Sequence, residues 1–315
     1  MRKTTMQLFP LRFFGDTPSF DFMGKRWLGF ALSGLVVAAA IFLLLTRGLN
    51  WGIDFTGGVL MEVRTDKPAI LADFRPLFPS EEYGEVTLQH FGDDREVMLR
   101  FQSREGEDQQ ALIGRVKDKL ATTDYQFDYR KVDYVGPTVG KELIQAGALA
   151  MTLAIIAILM YVWFRFEWQF GIGAIMALLH DLIATLGFIS LMGYEFGLAS
   201  VAAILTILGY SINDSVVLFD RVREMRRKFK KMPLMQMLNE SINLNLSRTI
   251  LTSGTTLLAL IALVTLGGEV IQGFVAAILF GVIAGTHSSI YISLPILIYF
   301  KLPDDRPMED VEATA

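Results

Sequence analysis

Apolar residues are gathered into long runs that short polar or charged stretches separate. The runs cover residues 27–47, 146–164, 170–192, 196–219, 249–266 and 273–300. About 20 apolar residues cross the hydrocarbon of a bilayer as a helix. The pattern therefore predicts an α-helical membrane protein with six transmembrane helices, helices 2 to 6 lying within 142–300. The first run is too long for the core of a signal peptide, so we expect it to be retained.

Residues 48–141, between the first two runs, have a different periodicity. Alternating patterns predict strands at 59–65, 85–91, 96–102 and 125–135, with a turn at 92–94, and helical patterns predict helices at 68–78 and 108–121. The order β-α-β-β-α-β is that of the ferredoxin-like split βαβ fold. We therefore expect one ferredoxin-like α+β domain, whose charged residues form a solvated surface without metal-ligand spacing.

The distribution of lysine and arginine sets the expected orientation. Basic residues accompany the first run in the tail 1–26 and fill the connector 221–248, whereas the short loops on the other side carry only Glu195 and Glu269. Positive charge favours the cytoplasmic side. Both tails, 1–26 and 301–315, are therefore predicted to be cytoplasmic. The ferredoxin-like domain is predicted to be external, which in a bacterium means periplasmic.

The amino-acid composition excludes several kinds of functional site. Hydrophobic residues make up 52% of the 315 residues, and the chain has no cysteine. The absence of cysteine excludes disulfides, thiolate nucleophiles and cysteine-ligated metals. The net charge of -4 averages segments of opposite sign and indicates no partner by itself.

The candidate chemistry centres on Asp214, inside the fourth run. A carboxylate at the centre of a bilayer costs roughly 2.5–3.5 kcal/mol and is by default a functional candidate. Asn213 and Ser215 flank it. Either could equally be a structural hydrogen-bonding residue between helices. Burial disfavours the charged form of a carboxyl group, and a nearby arginine favours it. A carboxyl group on which both effects act could bind and release a proton.

Two other runs carry polar residues of interest. The fifth begins with Arg248 and continues as a stripe of hydroxyl groups, formed by Thr249, Thr252 or Ser253, and Thr256. The stripe could line a water path, and Arg248 could pair with a carboxylate or anchor the helix at the membrane surface. The third run contains His180 and Asp181, which form either a proton relay or a buried structural pair. His287, which lies between Thr286 and Ser288 in the sixth run, is expected to pack among small polar neighbours.

Five motifs resemble the SecD/SecF protein-export family, within the resistance–nodulation–division superfamily. They are Gly52-Ile-Asp-Phe-Thr-Gly-Gly58, Val135-Gly-Pro-Thr-Val-Gly140, Arg165-Phe-Glu-Trp168, Gly209-Tyr-Ser-Ile-Asn-Asp214 continuing to Asp220-Arg-Val-Arg-Glu224, and Arg248-Thr-Ile-Leu-Thr-Ser-Gly-Thr-Thr256. The resemblance covers about residues 20–300. Its signature residues here are Asp54, Gly57, Gly58, Gly136, Pro137, Asp220 and Arg221. Chain length, six helices and one external domain match the SecF branch.

The resemblance implies a function that the residue patterns alone do not give. A SecF-type chain is half of a bundle, and SecD supplies the other six helices as an obligate partner. The pair acts beside the SecYEG channel and the SecA motor, with YajC and YidC as further candidates, and uses the proton-motive force to draw unfolded preprotein across the inner membrane. The proton-conducting carboxylate falls on Asp214 and its companion arginine on Arg248.

These implications complete the set of expected sites. Asn213 is expected to contribute to proton coupling, and His180, Asp181, Thr252 and Thr256 are candidates for a relay. We expect no enzyme activity, no metal, no cofactor other than protons and no nucleic-acid partner.

Three alternative hypotheses stay open at this point. The first is a proton-coupled exporter of lipids or small molecules, although such exporters usually have two large external domains. The second is an intramembrane aspartyl protease that uses Asp181 and Asp214, although the usual Tyr-Asp and Gly-x-Gly-Asp contexts are missing. The third is a passive assembly scaffold, which would leave Asp214 without a role.

Overall fold

The computed structural model describes residues 18–84, 86–90, 93–102 and 108–300. Most of the tail 1–26 and all of the tail 301–315 therefore lie outside the described residues, as do both ends of the strand predicted at 85–91 and the first residue of the turn predicted at 92–94. The chain forms two compact units. One comprises Met1–Gly48, Ala154–Met192 and Ala203–Ala315, and the other comprises Leu49–Leu153 and Gly193–Ala202.

The described helices and strands follow one another in a fixed order. The helices are α1 (Arg26–Thr46), α2 (Ile53–Thr56), α3 (Leu71–Phe74), α4 (Ser80–Tyr83), α5 (Gln109–Leu120), α6 (Pro137–Arg165), α7 (Trp168–Met192), α8 (Leu198–Lys228), α9 (Leu234–Leu266) and α10 (Glu269–Ser288). The strands are β1 (Asn50–Trp51), β2 (Gly58–Thr65), β3 (Val86–His90), β4 (Glu96–Phe101), β5 (Phe127–Val135) and β6 (Glu195–Phe196).

Six helical segments of the described chain are long and apolar enough to cross a membrane, so the predicted helical membrane protein is confirmed. They are α1, α6, α7, α8, α9 and the segment Ile271–Tyr299. The segment predicted as a separate connector, 221–248, belongs mostly to α8 and α9, which only residues 229–233 separate. Lysine, arginine and leucine are good helix formers, so the helices continue beyond the apolar runs.

The sixth apolar segment is not one regular helix. After α10, residues Ser289–Ser293 form a single π-helical turn, and Pro295–Tyr299 form a 3₁₀ helix. Proline has no backbone N–H to donate, which favours a break in the regular hydrogen-bond ladder near Pro295. π-Helical turns inside helices often mark functional sites, and this one begins at a residue that contacts Asp214.

The unit formed by Leu49–Leu153 and Gly193–Ala202 contains an antiparallel sheet with the strand order β3-β4-β2-β5. Its core includes Val59, Leu99 and Phe101 from the sheet and the buried face of α5, formed by Leu112, Ile113, Val116 and Leu120. Asp108 caps α5, because its Oδ1 accepts the backbone N–H of Gln110 at 3.0 Å.

The structure confirms the helix predicted at 68–78 only over residues 71–77. The chain forms the short helix α3, a 3₁₀ turn over Arg75–Leu77 and then α4. Pro76 lies in that 3₁₀ turn. A proline inside a helix removes a hydrogen bond and clashes with the preceding turn, so this apolar stretch packs as short pieces instead of one helix.

Candidate functional site

Asp214 lies in a buried cluster of hydroxyl groups contributed by three segments of the transmembrane unit. Its side chain is 9% exposed. Its Oδ1 accepts a hydrogen bond from Thr249 Oγ1 of α9 at 3.1 Å, and its Oδ2 accepts one from Ser289 Oγ, the first residue of the π-helical turn, at 2.5 Å. The carboxylate of α8 is therefore held by neutral donors from two neighbouring segments.

The periodicity of α8 and α9 explains which polar residues reach this cluster. On α8, Ser211, Asp214 and Ser215 are buried, whereas Asn213 is exposed. On α9, Thr249 and Ser253 are four residues apart and therefore lie on one face of the helix. Both are buried. Ser253 continues the polar cluster, because its Oγ lies 2.9 Å from Thr286 Oγ1 and accepts a hydrogen bond from the Tyr210 hydroxyl at 3.2 Å.

A second carboxylate, Asp181 of α7, lies fully buried beside the first cluster. Its Oδ1 is 2.9 Å from Nδ1 of His180. Its Oδ2 accepts hydrogen bonds from Ser211 Oγ at 2.5 Å and from Ser288 Oγ at 2.8 Å. Because Ser288 and Ser289 are consecutive, adjacent hydroxyl groups at the end of α10 bind the two buried carboxylates.

His287 completes the polar residues of this region, and its hydrogen-bond partner is a small polar residue from another helix. Its Nε2 lies 2.9 Å from Ser33 Oγ of α1, and its ring stacks on Tyr291 with 5.1 Å between centroids. The rings of His180 and His287 are 6.3 Å apart, centroid to centroid. Polar groups from α1, α7, α8, α9 and the last apolar segment therefore meet in one interior region.

Several predicted site residues lie away from Asp214. Arg248 is exposed and forms no ion pair with any carboxylate in the part of the chain that the structure describes, although its charge lies close enough to act on Asp214 electrostatically. Thr252 Oγ1 donates to the Arg248 carbonyl at 3.0 Å and Thr256 Oγ1 to the Thr252 carbonyl at 2.9 Å. The relay role predicted for these two threonines stays a prediction, and their hydroxyl groups bind their own helix.

Sequence reasoning missed the serines that bind the carboxylates. Ser211, Ser288 and Ser289 are each at most 1% exposed. One signal could have identified the last two, because the run Thr286-His-Ser-Ser289 places four polar residues together inside an apolar segment. Ser211 lies three residues before Asp214, on the same side of α8.

The signature motif after α1 holds the start of α8. Asp54 Oδ2 accepts the backbone N–H of Leu198, the first residue of α8, at 2.8 Å. A carboxylate at this position satisfies an N–H that has no partner within the helix and interacts favourably with the helix dipole. Sequence reasoning listed Asp54 in the motif without a role, and the structure places it at the end of the helix that carries Asp214.

The two glycines of the motif are required by the backbone. Gly57 has a φ of 70° and Gly58 a φ of 128°. Other residues rarely adopt these values. A side chain at Gly58 would also collide with the carbonyl oxygen of Phe101 on the neighbouring strand. The glycines therefore let the chain turn from α2 directly into β2.

Further contacts join this motif to the loop before α8, within one compact unit. β1 pairs in parallel with β6, and Glu195 of β6 accepts the backbone N–H of Ile53 at 3.2 Å. Arg100 lies 3.5 Å from the same carboxylate and donates to Asn50 Oδ1 at 2.9 Å. Burial raises the pKa of the Tyr194 hydroxyl in this loop, so Tyr194 stays neutral at physiological pH. We call Asn50, Asp54, Arg100 and Glu195 the clasp.

The remaining motif residues lie within α8 or at the start of α6. Asp220 pairs with Arg165 at 2.6 Å, and Arg221 pairs with Glu224 at 2.7 Å. Pro137 begins α6, where a proline is well tolerated because the N–H of that position has no partner in the helix. Gly136 precedes it and its carbonyl accepts the N–H of Gly140 at 3.0 Å. Across the described residues, no group of three or more histidine or acidic side chains could hold a metal ion.

Comparisons with known proteins give a consistent result. Residues 115–302 match the family described as "Protein export membrane protein SecD/SecF, C-terminal", and residues 42–69 match the SecD/SecF GG motif. The chain is 46% identical over 296 residues to the protein translocase subunit SecF of Rickettsia felis and to that of Rickettsia prowazekii. These alignments cover 94% of this chain and 96% and 95% of the two relatives.

Solved structures show the same likeness. SecDF of Thermus thermophilus, described as a translocon-associated membrane protein, superimposes with a TM-score of 0.81 at 35% identity, covering 92% of this chain and 39% of that one. SecDF in its super-membrane-facing form superimposes with a TM-score of 0.63 at 32% identity, covering 92% of this chain and 40% of that one. This chain therefore spans about two fifths of the solved SecDF chains.

Proposed function

Since the chain belongs to the SecD/SecF protein-export membrane protein family, we propose that it couples the proton-motive force to preprotein translocation through Asp214. It is a multi-pass protein translocase subunit of the SecF kind. The observation that carries the proton-coupling proposal is the buried carboxylate of Asp214, which only neutral hydroxyl groups contact by hydrogen bonds among the described residues.

The hydroxyl environment suits a carboxyl group that changes its protonation state. A serine or threonine hydroxyl donates to a carboxylate and, after rotating, accepts from a carboxylic acid. Thr249 and Ser289 can therefore satisfy both states of Asp214, whereas an arginine could only donate. A proton that crosses 100 mV of membrane potential releases about 2.3 kcal/mol, which is enough to change a two-state helix arrangement substantially.

The companion role of Arg248 belongs to the same proposal. Arg248 immediately precedes Thr249, which binds Asp214. Its exposed guanidinium acts on Asp214 at a distance and modulates the balance between the charged and neutral carboxyl group. Asn213 is exposed on α8 beside Asp214. We propose that both face the second half of the membrane bundle.

That second half is the SecD partner. The solved SecDF chains are more than twice as long as the part that this chain matches, which supports a second set of helices from another subunit. We propose that the two subunits act with the SecYEG channel and the SecA motor, with YajC and YidC as additional partners, on unfolded preprotein. The proposed role needs no nucleic acid, no metal and no enzyme activity, and protons are the coupling ion.

We further propose that the β-sheet domain is ferredoxin-like and periplasmic. The strand order β3-β4-β2-β5 with antiparallel pairing, together with α5 between β4 and β5, supports the fold assignment. The basic residues at the end of α8 and after it support an orientation with the connector and both termini in the cytoplasm of a bacterial inner membrane.

Inverted inner-membrane vesicles test this proposal. Vesicles are prepared from cells depleted of the chain and from cells in which it is restored, and preprotein import is measured with and without a protonophore. We expect the protonophore-sensitive part of import to disappear on depletion and to return on restoration. An unchanged protonophore-sensitive part would contradict the proposal, and proton-linked efflux of a small solute by the purified chain alone would favour an exporter.

A further inference from the structure

The His180–Asp181 pair has features that a purely structural contact does not need. We propose that this pair is a second proton-binding site, distinct from Asp214, in which the proton binds at Nε2 of His180. The proposal rests on the proposed proton-coupled function and adds a site to it. Four observations carry it: the burial of the pair, the direction of its hydrogen bonds, a buried nitrogen without a partner, and a link to Asp214.

The hydrogen bonds around Asp181 all point towards its carboxylate. Ser211 and Ser288 each donate a hydroxyl hydrogen to Oδ2, and Nδ1 of His180 faces Oδ1 at 2.9 Å. A carboxylate that faces a ring nitrogen at this distance places the imidazole hydrogen on that nitrogen. His180 is therefore assigned as the Nδ1–H tautomer, and its Nε2 carries a lone pair that can accept a proton.

Nε2 of His180 is buried and has no hydrogen-bond partner in the described chain. The residue is only 6% exposed. An unsatisfied buried polar atom costs free energy, so its retention at the centre of a packed helix needs an explanation. A proton that binds this lone pair turns the imidazole into an imidazolium beside the Asp181 carboxylate.

The charge of the pair gives the reason why a proton would bind there. With a neutral imidazole, the pair carries one negative charge, and none of the described lysine or arginine side chains forms an ion pair with Asp181 to neutralise it. Proton uptake at Nε2 makes the pair neutral overall. Burial favours a neutral pair over an isolated buried charge, so the site gains a proton without needing any other counterion.

The other titratable groups around the pair come from three elements. His287 of α10 lies with its ring 6.3 Å from that of His180, and Tyr291 of the π-helical turn stacks on His287. Asp214 of α8 is connected through the consecutive serines Ser288 and Ser289. The facing residue of α1, Ser33, does not titrate and contacts His287.

The serines make the second site relevant to Asp214. Ser288 binds Asp181 while Ser289 binds Asp214, and Ser211 of α8 binds Asp181 three residues before Asp214. A change of charge on Asp181 or His180 therefore alters contacts made by the two segments that also position Asp214. We infer that the two sites exchange their protons in a coupled way and not independently.

The variant His180→Asn separates proton binding from hydrogen bonding. The amide nitrogen of asparagine replaces Nδ1 as the donor to Asp181, whereas the acceptor nitrogen Nε2 is lost. In proteoliposomes that contain the complete translocase, we expect gradient-driven translocation to fall about tenfold or more and its pH profile to change. Translocation driven by the motor without a gradient should be unaffected, and His90→Asn, in the exposed strand β3, should behave as wild type.

Nuclear magnetic resonance gives a readout that does not depend on transport. The chain contains only three histidines, so ¹⁵N-histidine labelling of the full chain in lipid nanodiscs, with His90→Asn and His287→Gln variants for assignment, resolves the His180 nitrogens. We expect Nε2 of His180 to become protonated as the pH is lowered and Nδ1 to stay protonated throughout.

The outcomes separate this inference from the proposed function. A wild-type pH profile and rate in a folded His180→Asn protein, or an Nε2 that does not titrate, would overturn the second site. If His180→Asn does not fold, the NMR titration of the wild-type chain decides alone. Asp214→Asn is measured in parallel: if it keeps gradient-driven translocation, the proposed function fails, and if only His180→Asn keeps it, the inference alone fails.

Discussion

Asp214 and Asp220 lie within two turns of each other on α8, yet their surroundings differ in almost every respect. Asp214 is 9% exposed and accepts hydrogen bonds from two hydroxyl groups. The Asp220 side chain is 45% exposed and pairs with Arg165 at 2.6 Å and more distantly with Arg223 at 4.0 Å. The same side chain thus occurs once among neutral donors and once among solvated cations.

The difference shows how position along a single helix separates two roles. Exposed ion pairs typically contribute about 0–1 kcal/mol, and Asp220 makes such pairs with Arg165 and Arg223. Asp214 has no cation within hydrogen-bond distance among the described residues, and its two hydroxyl donors can rearrange when a proton binds. We therefore propose that Asp220 contributes to the structure of α8 and that Asp214 carries the proton-coupling function.

Removal of a donor to Asp214 should have the largest effect on stability. Ser289→Ala leaves Oδ2 of a buried carboxylate without its donor, which costs about 1–3 kcal/mol. We expect a matching decrease in the free energy of unfolding of the full chain in detergent and a strong loss of gradient-driven translocation. Ser293→Ala is the matched control, because that buried hydroxyl group donates only to the Ser289 carbonyl.

The Ser293→Ala control shows whether the Ser289 hydroxyl group contributes through its hydrogen bond to Asp214 or through the packing of the π-helical turn. Equal losses in Ser289→Ala and Ser293→Ala would show that any buried serine of the π-helical turn is required for packing. The functional role that we propose for the hydroxyl groups around Asp214 would then be wrong.

A third carboxylate, Asp54, extends the comparison to the other end of α8. Its hydrogen-bond donor within the described residues is the backbone N–H of Leu198, and no described hydroxyl group or cation binds it. Asp54→Ala removes a helix cap and should destabilise the protein by about 0.5–2 kcal/mol. Asp54→Asn keeps the acceptor oxygen and should therefore lose clearly less stability than Asp54→Ala. Thermal unfolding of both variants measures this difference.

If Asp54→Asn and Asp54→Ala were equally destabilised, the charge at the helix end, and not the capping hydrogen bond, would be the important property. If neither variant were destabilised, the clasp would not contribute to the fold.

The smallest effect is expected at Asp220. Asp220→Asn loses an exposed ion pair and should change the free energy of unfolding by no more than about 1 kcal/mol. High salt should have little additional effect in the variant, because the interaction that salt screens has already been removed. A large loss of stability or of gradient-driven translocation in Asp220→Asn would contradict the proposed difference in role between Asp220 and Asp214.

The fold was predictable where local patterns decide it. Hydropathy identified the apolar helices, and a carboxylate in an apolar run identified Asp214, because few physical reasons justify such a residue. The predicted helix at 68–78 forms only in short pieces, because Pro76 disfavours a continuous helix. The polar segment after the fourth run continued as helix because its residues are good helix formers.

The partners of Asp214 were harder to predict. A serine in an apolar segment is common and signals little, and no hydropathy pattern marks where the π-helical turn begins at Ser289. The pairing of Asp54 with Leu198 joins residues that lie 144 positions apart, which no local pattern encodes. The rotation of α9 decides that Thr249 and Ser253 are buried while Arg248 and Thr252 are exposed.

Translocation into proteoliposomes under an imposed proton gradient tests the central claim most directly. The complete translocase is reconstituted with wild-type chain, with Asp214→Asn or with Asp220→Asn, and preprotein translocation is measured with and without the gradient. We predict that Asp214→Asn folds and loses the gradient-dependent part, while Asp220→Asn keeps it. Gradient-dependent translocation at the wild-type rate in Asp214→Asn would contradict the account.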